Sequence, residues 1–385
     1  MFVLVSNPGS NSRKYSLFHQ DKEILSFFFD PNGGIPYCAV TDTTGKERLF
    51  HGKYCEMENS GNALQHILKE IDPSLEVDMI LIRIVATGDY FVEDHIVDDE
   101  CIRMLERDGA RTPLHAPITL HEINTLRNAF PDVKIALISD SKFHASRPDV
   151  SKYYGFSLEF ADAHQIKRYG AHGLSNESVV QQLKRIGMLP DKLVVCHIGS
   201  GVSVTAIKNG RSVETTMGYT PLEGVLMATR CGDIDPSAVF ALKRAKGFSD
   251  EEMEKWLNQE CGLLGIAGSN DFRDIDVGRF SDVYSAFAYE KFIYRIQQEV
   301  GKMSASMGGV DALVLTATIS ERNYKFRKDL VFGLGFLGFC IEDGKNESYH
   351  YSHGVANIAG PGSKAVFVIR TNETEVMLEH AKMLL

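Results

Sequence analysis

Two copies of one pattern, short strands joined by tight turns, lie about half a chain apart in this sequence. The expected strands are 2–5, 14–18 and 23–29 in the first copy and 193–196 and 202–207 in the second. In the second copy, Asn209-Gly210 follows the last run and closes a tight hairpin. The duplication constrains the fold strongly, because it implies two similar domains in one chain.

Each copy carries a small polar turn, at 6–12 in the first and at Gly199-Ser200-Gly201 in the second. Short Gly/Ser turns between strands present backbone N–H groups to an anion. A single turn of this kind could serve only to connect a hairpin. Because the turn occurs twice, we predict that a nucleotide or another polyphosphate is held between the two domains.

Strand patterns alternate with helical patterns in the rest of the chain. Apolar strand runs occur at 79–85, 134–138, 312–316 and 365–369. Helical spacing occurs at 62–71, 121–130, 176–186, 236–245, 250–260 and 282–307, and a last helix starts near 371. The sequence therefore predicts an α/β fold, with domain boundaries near 145–150 and near 370.

Composition excludes several classes of function. The chain has 385 residues, enough for two domains, and its net charge of -10 with interspersed Lys and Arg argues against a nucleic-acid partner. Seven cysteines without a CxxC pair suggest neither a disulfide framework nor a zinc site, and indicate a reduced, cytoplasmic setting. We find neither an export signal nor a membrane span, and so expect no membrane partner.

Three charged residues stand where strands end or a helix begins. Arg83 interrupts the apolar run 80–85, where a guanidinium needs a buried carboxylate from the protein or from a substrate. Asp140 follows the run 135–139, a common place for a magnesium-linked carboxylate, although a helix N-cap fits equally well. Glu373 opens the last helix, where a carboxylate also complements the helix dipole.

Two histidines and one irregular segment complete the set of candidate residues. His115 and His172 lie in loops bracketed by Pro or Gly, although any one of the 13 histidines is more commonly structural. The segment 217–236 is too rich in Gly, Thr and Pro for a core helix. Its charged residues, which suit a site better than a scaffold, include Glu223, Arg230, Asp233 and Asp235.

Taken together, these segments resemble the acetate kinase family, within the superfamily of actin, sugar kinases and Hsp70. The matching segments are Asn7-Pro-Gly-Ser-Asn-Ser-Arg-Lys14, Arg83-Ile-Val85, Pro113-Leu-His-Ala-Pro117, Asp140-Ser-Lys-Phe-His144, Arg168-Tyr-Gly-Ala-His-Gly173, Met217-Gly-Tyr-Thr-Pro-Leu-Glu-Gly224, Thr229-Arg-Cys-Gly-Asp-Ile-Asp-Pro236, Gly262-Leu-Leu-Gly-Ile-Ala-Gly268 and Thr371-Asn-Glu373. They run almost from end to end in the same order.

The resemblance implies a fold and a reaction. The fold would be two duplicated actin-like (ribonuclease H-like) domains with an active-site cleft between them. The N-terminal domain would comprise 1–147 plus 371–385, and the C-terminal domain 148–370, which would carry the nucleotide side and a homodimer interface. The reaction would be reversible in-line transfer of the terminal phosphoryl group of ATP to a short-chain carboxylate, with Mg2+ or Mn2+.

The resemblance also implies roles for individual residues. Arg83 and Arg230 would hold the carboxylate and the migrating phosphoryl group, as suits a charge-spread transition state. His172 would donate a hydrogen bond to that group, and His115 would position the acyl substrate. Asp140 and Glu373 would orient the metal ion and its waters, supported by Asn7. A carboxylate is already a nucleophile, so positioning and electrostatics would supply catalysis.

Two further sets of residues follow from the resemblance. Residues implied to bind the nucleotide are His197, Gly199, Ser200, Gly201, Asp271, Phe272, Arg273, Thr318, Ile319 and Glu321. Residues implied to line the pocket for the carboxylate are Val85, Leu114, Ala171 and Pro221, together with Arg83.

The chain departs from the family pattern on the donor side. His197-Ile-Gly-Ser-Gly201 stands where the family has His-Leu-Gly-Asn-Gly, and the shorter Ser200 should weaken one phosphate contact. Ala317-Thr-Ile-Ser-Glu-Arg322 replaces Gly-Gly-Ile-Gly-Glu-Asn, and the three added side chains should crowd an adenosine pocket. ATP is the expected donor. Pyrophosphate, which some family members use, is the alternative.

Two departures concern the acceptor side. Ile82-Arg-Ile-Val-Ala-Thr-Gly88 keeps the arginine of the family's His-Arg-Val-Val-His-Gly-Gly but loses both histidines and one glycine. Ala171 replaces a phenylalanine, which should make room for propionate or a larger acid unless a neighbouring side chain fills the gap. A non-catalytic nucleotide-binding or assembly protein on the same fold is the alternative from another class. We favour the enzyme, because unused buried arginines and magnesium carboxylates would be costly to keep.

Overall fold

The structure is a computed structural model that describes residues 1–8, 13–30, 36–52, 55–56, 59–85, 88–109, 116–350 and 354–384. The strands are β1 Phe2–Pro8, β2 Arg13–His19, β3 Lys22–Asp30, β4 Tyr37–Asp42, β5 Glu47–His51, β6 Met79–Ile84, β7 His95–Ile96, β8 Lys134–Ser139, β9 Lys192–Ile198, β10 Val202–Lys208, β11 Arg211–Thr215, β12 Ala312–Thr316, β13 Val355–Asn357 and β14 Ala365–Ile369.

The helices alternate with these strands along the chain. They are α1 Ser60–Ile71, α2 Asp99–Gly109, α3 Ala116–Ala129, α4 Asp149–Lys152, α5 Leu158–His164, α6 Gly173–Arg185, α7 Pro236–Lys246, α8 Asp250–Gln259, α9 Gly262–Ala267, α10 Phe272–Gly278, α11 Val283–Met307, α12 Thr318–Arg322, α13 Tyr324–Phe332, α14 Asp343–Ser348 and α15 Glu373–Leu384. Within the described ranges, no helix is both long and apolar enough to cross a bilayer.

The chain divides into two compact units, Met1–Lys142 with Glu373–Leu385, and Phe143–Asn372. In the described residues of the first unit, eight strands form one sheet in the order β5-β4-β3-β2-β1-β6-β8-β7. Strands β1, β2 and β3 are antiparallel neighbours, whereas β1, β6 and β8 run parallel. Residues 79–82 of β6 are almost completely buried, as expected of a parallel strand covered on both faces.

The second unit repeats this topology. Its described strands form a six-stranded sheet in the order β11-β10-β9-β12-β14-β13. Strands β9, β10 and β11 are antiparallel neighbours, and β9, β12 and β14 run parallel. An antiparallel group of three strands followed by two parallel strands therefore occurs in both units, which confirms the predicted duplication and the α/β class.

Local sequence explains where the elements of the second unit begin and end. Asn209 and Gly210 both have positive φ, 52° and 75°, as the predicted two-residue hairpin between β10 and β11 requires. Asp282 caps α11 by accepting a hydrogen bond from the backbone N–H of Ser285 at 2.7 Å. The segment 217–235 contains neither helix nor strand, as its composition predicts.

Candidate functional site

In the first unit, the three charged candidates lie at the ends of neighbouring elements. Arg83 is near the carboxyl end of β6, and Asp140 directly follows β8, its parallel neighbour. Glu373 is the first residue of α15. Parallel strands end at the same edge of a sheet, which is where open α/β sheets place their chemistry. Asn7 lies on β1, the other neighbour of β6, and is partly buried.

These side chains form a buried ionic cluster. Nη2 of Arg83 lies 2.7 Å from Oδ2 of Asp140, and Nη1 lies 3.4 Å from Oε2 of Glu373. The Asp140 side chain is fully buried, whereas those of Arg83 and Glu373 are each 19% exposed. The expectation that Arg83 needs a buried carboxylate is confirmed by Asp140, and the partly exposed Glu373 is a second partner.

Charge and burial act on this cluster in opposite directions. Burial by itself would lower the pKa of Arg83, but the carboxylates of Asp140 and Glu373 outweigh it and hold that pKa above its usual range. The pKa of Glu373 is raised because burial and the nearby Asp140 outweigh the attraction of Arg83. The Nε hydrogen of Arg83 is buried and makes no hydrogen bond within the described residues.

The acidic residues of the cluster fit a magnesium ion of the usual enzymatic kind. Mg2+ keeps several waters and binds through one or two carboxylates together with substrate phosphates. Asp140 and Glu373 provide two carboxylates at one place. Among the described residues, no group of three or more His, Cys, Asp or Glu side chains could enclose a metal by itself. The arrangement suits an ion that shares its ligands with a substrate.

The structure describes one of three further residues that were predicted to bind or position the carboxylate substrate. His115 and Leu114 lie outside the described residues. Val85, which follows β6, is half-buried. On this side, the charged candidates Arg83, Asp140 and Glu373 are the ones that the structure brings together.

In the second unit, two stacked histidines lie beside the predicted phosphate turn. His197 is on β9 just before the turn, and His172 precedes α6 with a φ of 59°. Their ring centroids are 3.9 Å apart and their planes differ by 24°. Nδ1 of His172 lies 3.0 Å from Oγ of Ser203, and Nδ1 of His197 lies 2.8 Å from Oγ of Ser175. The two serines fix the orientation of both rings.

Gly201 brings the turn next to His172 and Arg230. A Cβ added to Gly201 would lie 3.3 Å from both Cε1 and Nε2 of His172 and 3.7 Å from Nη1 of Arg230. Ser200, between Gly199 and Gly201, is exposed. The structure thus assembles a basic group, an imidazole and a Gly-Ser-Gly turn with an exposed serine in one place.

Arg230 is largely buried but differs from Arg83 in its partners. Its Nη1 lies 3.4 Å from the carbonyl oxygen of Pro221 and 3.5 Å from the sulfur of Met227. Within the described residues of the second unit, no carboxylate lies within ion-pair distance of it, and burial lowers its pKa. A buried guanidinium without a counter-charge is suited to an anionic ligand.

The nucleotide-side residues fall into two groups. Ala317 has φ 67° and ψ 172°, a conformation that is nearly exclusive to glycine. Its backbone N–H donates to Oε1 of Glu321 at 2.7 Å, which holds the turn in place. Thr318 is exposed and Ile319 half-buried at the start of α12. Ser320 is buried, and its hydroxyl donates to the Thr316 carbonyl. Of the three side chains that replace glycines of the family motif, the Ser320 side chain therefore faces the interior.

In the described residues, no hydrogen bond or ion pair links the second group to the phosphate turn. This group comprises Asp271, Phe272 and Arg273. Among the described residues, the side-chain hydrogen bonds and ion pair of Asp271 and Arg273 join these two residues to each other. The Phe272 ring is 6% exposed and packs against Tyr289, Phe292 and Phe326. Its side chain therefore belongs to the core of this unit.

Ala171 is 3% exposed, so its methyl group is already covered. Its carbonyl oxygen lies 2.9 Å from Nε2 of the buried His144, whose Nδ1 lies 2.8 Å from Oγ of Ser212. His144 therefore ties the Ala171 backbone to Ser212 of β11.

A partly buried ionic cluster around Arg168, not identified in the sequence as a unit, holds the His172 loop. Nε of Arg168 lies 2.9 Å from Oε1 of Glu223, and Nη1 lies 2.9 Å from Oε1 of Glu214. The Tyr154 hydroxyl donates to the other oxygen of Glu223. The backbone N–H groups of Tyr169 and Gly170 donate to the Gly218 carbonyl. The sequence shows the charged Glu223 in the Gly-rich segment and Arg168 near His172. It gives no sign that the two residues are in contact.

A family model described as the acetokinase family matches residues 2–379. The chain belongs to the acetokinase family. It is 35% identical to the acetate kinase of Caldanaerobacter subterraneus subsp. tengcongensis, over 100% of this chain and 99% of that protein. It is 36% identical to the acetate kinase of Clavibacter michiganensis subsp. michiganensis, over 96% of each chain. The expected family resemblance is confirmed.

Solved structures of acetokinases show the same fold. The crystal structure of a propionate kinase from Francisella tularensis matches with a TM-score of 0.90 at 29% identity, covering 98% of each chain. That of Porphyromonas gingivalis acetate kinase matches with a TM-score of 0.85 at 28% identity, covering 100% of each chain. The chain thus has the duplicated actin-like fold of these enzymes and is a carboxylate kinase, a phosphotransferase.

Proposed function

We propose that the protein transfers the terminal phosphoryl group of ATP directly and reversibly to a short-chain carboxylate, forming an acyl phosphate and ADP. The observation that carries this proposal is Arg230. This buried guanidinium has no carboxylate partner in the described part of its unit, and it lies with His172 around the Gly201 turn. A transferring phosphoryl group supplies the negative charge that this arrangement lacks.

The chemical step needs no strong base. A carboxylate oxygen of the acid attacks the γ-phosphorus, a new O–P bond forms, and the P–O bond to the leaving ADP breaks with its electron pair. Arg230 and the His172 imidazole stabilise the charge on the phosphoryl oxygens. The Arg83 side chain is 19% exposed, which supports its proposed role as a donor to the acid. His115 is assigned to positioning the acyl group. Rate enhancement comes from orientation and preorganised charge.

A divalent cation, Mg2+ or Mn2+, would be held by Asp140 and Glu373, with Asn7 in support. When bound, such an ion neutralises charge on the phosphate oxygens. The ionic cluster with Arg83 keeps both carboxylates at one place. In addition, removal of one carboxylate would leave the guanidinium underpaired, so each contributes to the cluster as well as to the metal.

ATP is the proposed donor, bound by the turn at 197–201, by the turn at 317–321 and by 271–273. Ala317 keeps the glycine-like backbone of its turn in spite of its side chain, which supports retention of the nucleotide-side loop. Pyrophosphate is the alternative donor. It is favoured if the exposed Thr318 and the Ala317 methyl group obstruct the adenosine.

Acetate and propionate are the proposed acceptors, in a pocket lined by Val85, Leu114, Ala171 and Pro221. A structural neighbour at 29% identity is named a propionate kinase, which supports the larger of the two acids. The covered methyl group of Ala171 supports a pocket that is only modestly enlarged. We therefore expect turnover to fall steeply for acids longer than propionate.

We also infer a cytoplasmic homodimer that associates through the domain 148–370, with the other domain formed by 1–147 plus 371–385. Helix α11 exposes several large apolar side chains, among them Val283, Tyr284, Phe287 and Tyr294. Apolar side chains grouped in this way are typical of protein interfaces. Light scattering after size-exclusion chromatography tests the dimer, and Phe287→Asp is expected to shift it toward monomer.

The proposed reaction is tested by trapping acyl phosphate with hydroxylamine. The full chain is assayed with magnesium, with acids of increasing length, and with ATP or pyrophosphate as donor. We expect product with ATP and with acetate or propionate. Product with pyrophosphate alone would reassign the donor. No product from any pair, in folded protein that still binds ATP, would support the non-catalytic nucleotide-binding alternative.

A further inference from the structure

A second buried carboxylate of the first unit, Asp94, lies between a 3-10 turn at Tyr90–Val92 and β7. It is only 7% exposed. Its Oδ1 accepts a hydrogen bond from the backbone N–H of Ser139 at 2.8 Å, and its Oδ2 lies 2.7 Å from Nζ of Lys142. Asp94 therefore contacts the chain immediately before Asp140 and again two residues after it.

The same carboxylate also contacts the helix that carries Glu373. Nδ1 of His380 lies 3.2 Å from Oδ2 of Asp94, and His380 is 3% exposed. His380 follows Glu373 by seven residues on α15. Seven residues are close to two helical turns, so both side chains lie on one face of the helix.

We propose that Asp94 is a positioning residue, which sets the carboxylates of Asp140 and Glu373 in place for the divalent cation and for Arg83. The inference rests on the proposed function, because it assumes that these two carboxylates hold the cation. Arg83 joins the two carboxylates directly. Asp94 joins the two elements that carry them, through Ser139 and Lys142 on one side and through His380 on the other.

The charge balance supports a fixed, ionised Asp94. Burial alone would raise its pKa, but His380, Lys142 and the Ser139 N–H outweigh burial and hold the pKa below its usual value. Charge-assisted hydrogen bonds from the Ser139 N–H and from Lys142, together with the close approach of Nδ1 of His380, define both the position and the orientation of the carboxylate. A carboxylate that only balanced Lys142 would not require the contacts with Ser139 and His380.

The test compares the full chain with Asp94→Asn. Asparagine keeps the size of the side chain and an acceptor for Ser139, but it loses the charge that attracts Lys142 and His380. Binding of Mn2+ is measured from the free-ion signal in electron paramagnetic resonance. Loss of a residue that orients a metal ligand weakens binding by about 10-fold to 100-fold. We expect about 10-fold weaker Mn2+ binding and a similar rise in the Mg2+ concentration for half-maximal turnover.

Two controls separate positioning from stability. Asp108→Asn neutralises another fully buried carboxylate of the same unit, which pairs with Arg107 of its own helix. This variant should lose stability but keep the Mn2+ affinity of the parent. At saturating Mg2+, the KM for the phosphoryl donor should stay the same in Asp94→Asn, because the proposed direct phosphate contacts belong to the second unit.

Substitutions at His380 give a second test if Asp94→Asn does not fold. His380→Asn keeps a donor near the position of Nδ1 and should bind Mn2+ nearly as well as the parent. His380→Leu removes the donor and should weaken Mn2+ binding by about 3-fold to 10-fold. Equal affinity of the Asn and Leu variants would contradict the link through α15.

The outcomes distinguish this inference from the proposed function. A parent that forms acyl phosphate, with an Asp94→Asn variant of equal Mn2+ affinity and equal Mg2+ requirement, would overturn the positioning role and leave the reaction intact. A parent that forms no acyl phosphate, with Mn2+ affinity that still falls in Asp94→Asn, would overturn the reaction and leave the positioning role intact. A parent that binds no Mn2+ and shows no magnesium dependence would overturn both.

Discussion

His172 and His197 stack face to face, with ring centroids 3.9 Å apart, and each ring presents Nδ1 to a serine hydroxyl. Because Nδ1 is engaged in both rings, the Nε2 edge of His172 is the one near Gly201. Because the ring is already held in this orientation, it can donate a hydrogen bond from Nε2 without a further loss of conformational entropy at the time of reaction. Preorganisation of this kind is a main source of catalytic power.

Removal of the imidazole should therefore reduce turnover more than binding. We expect His172→Ala to lower kcat by about 100-fold to 1000-fold with a small change in KM for the acid, since one donor to the transition state is lost. Ser203→Ala should lower kcat by about 10-fold, because the ring stays but is no longer held by a bond worth about 1 kcal/mol. Ser306→Ala, on the exposed side of α11, is the control, and equal kcat values for both serine variants would contradict the role of Ser203.

Substitution of Arg230 should separate activity from stability. Arg230→Met keeps much of the buried volume but removes the guanidinium, and we expect kcat to fall by at least about 1000-fold. Unfolding in urea should show no loss of stability, because a buried charge without a protein counter-charge does not favour the folded state. Arg211→Met, at an exposed position, should match the parent in both measurements. A large loss of stability in Arg230→Met would show that the arginine has a structural role.

A methyl group at Gly201 should obstruct the site without unfolding the protein. The added Cβ would approach His172 at 3.3 Å and Arg230 at 3.7 Å, the two groups proposed to contact the phosphoryl group. We expect kcat/KM for Gly201→Ala to fall by about 10-fold to 100-fold, as expected when reacting groups are displaced by a fraction of an ångström. Gly344→Ala is the control, because its Cβ meets nothing within 4 Å. Parent-like kinetics for Gly201→Ala would place the phosphate elsewhere.

Ala317→Gly should stabilise the protein although glycine is usually destabilising. Relief of the strained backbone is worth about 1–3 kcal/mol, against an entropic cost of about 0.5–1 kcal/mol, so we expect a net gain of about 1 kcal/mol. Ala241→Gly, at an exposed position in the interior of α7, should lose about 1 kcal/mol. Urea unfolding measures both. If ATP is the donor, the KM for ATP should fall in Ala317→Gly, whereas unchanged kinetics with ATP would argue against a nucleotide at this turn.

The stability contribution of Asp94 should depend on pH in a defined direction. Its folded-state pKa lies below the ordinary value of 3.8, so the folded state binds this proton less tightly than the unfolded state does. The contribution is therefore present above pH 3.8 and is lost as the pH falls through the lower folded-state pKa. We expect the parent to exceed Asp94→Asn by about 3 kcal/mol in unfolding free energy at pH 7, with the difference closing in acid. A difference that does not change with pH would mean that the charge is unimportant.

Much of the fold could be predicted from hydrophobic patterns. The runs at 312–316 and 365–369 coincide with β12 and β14, because strands buried on both faces are continuously apolar. The last helix begins at Glu373, two residues after the expected start near 371. Strand β5, with one buried residue in five, and β7, with two residues, were not predicted because neither shows an apolar or alternating run.

The site could be predicted only where chemistry leaves a local signal. A guanidinium in an apolar strand requires an acid, which is why the pairing of Arg83 with buried carboxylates could be foreseen. The contact between Asp94 and His380 joins positions far apart in the chain, and neither residue interrupts an apolar run. The positive φ of Ala317 could not be predicted either, because alanine rarely adopts that conformation.

The most direct test of the central claim follows an isotope from the acid to the phosphorus. Acetate labelled with 18O in both carboxyl oxygens is incubated with ATP, magnesium and the full chain, and the product is examined by 31P NMR. Attack by the carboxylate predicts acetyl phosphate whose phosphorus carries one 18O and therefore shows the isotope shift, and it predicts no such signal with Arg230→Met. Acetyl phosphate without 18O on phosphorus, or no acetyl phosphate from folded protein with acetate and ATP, would contradict the account.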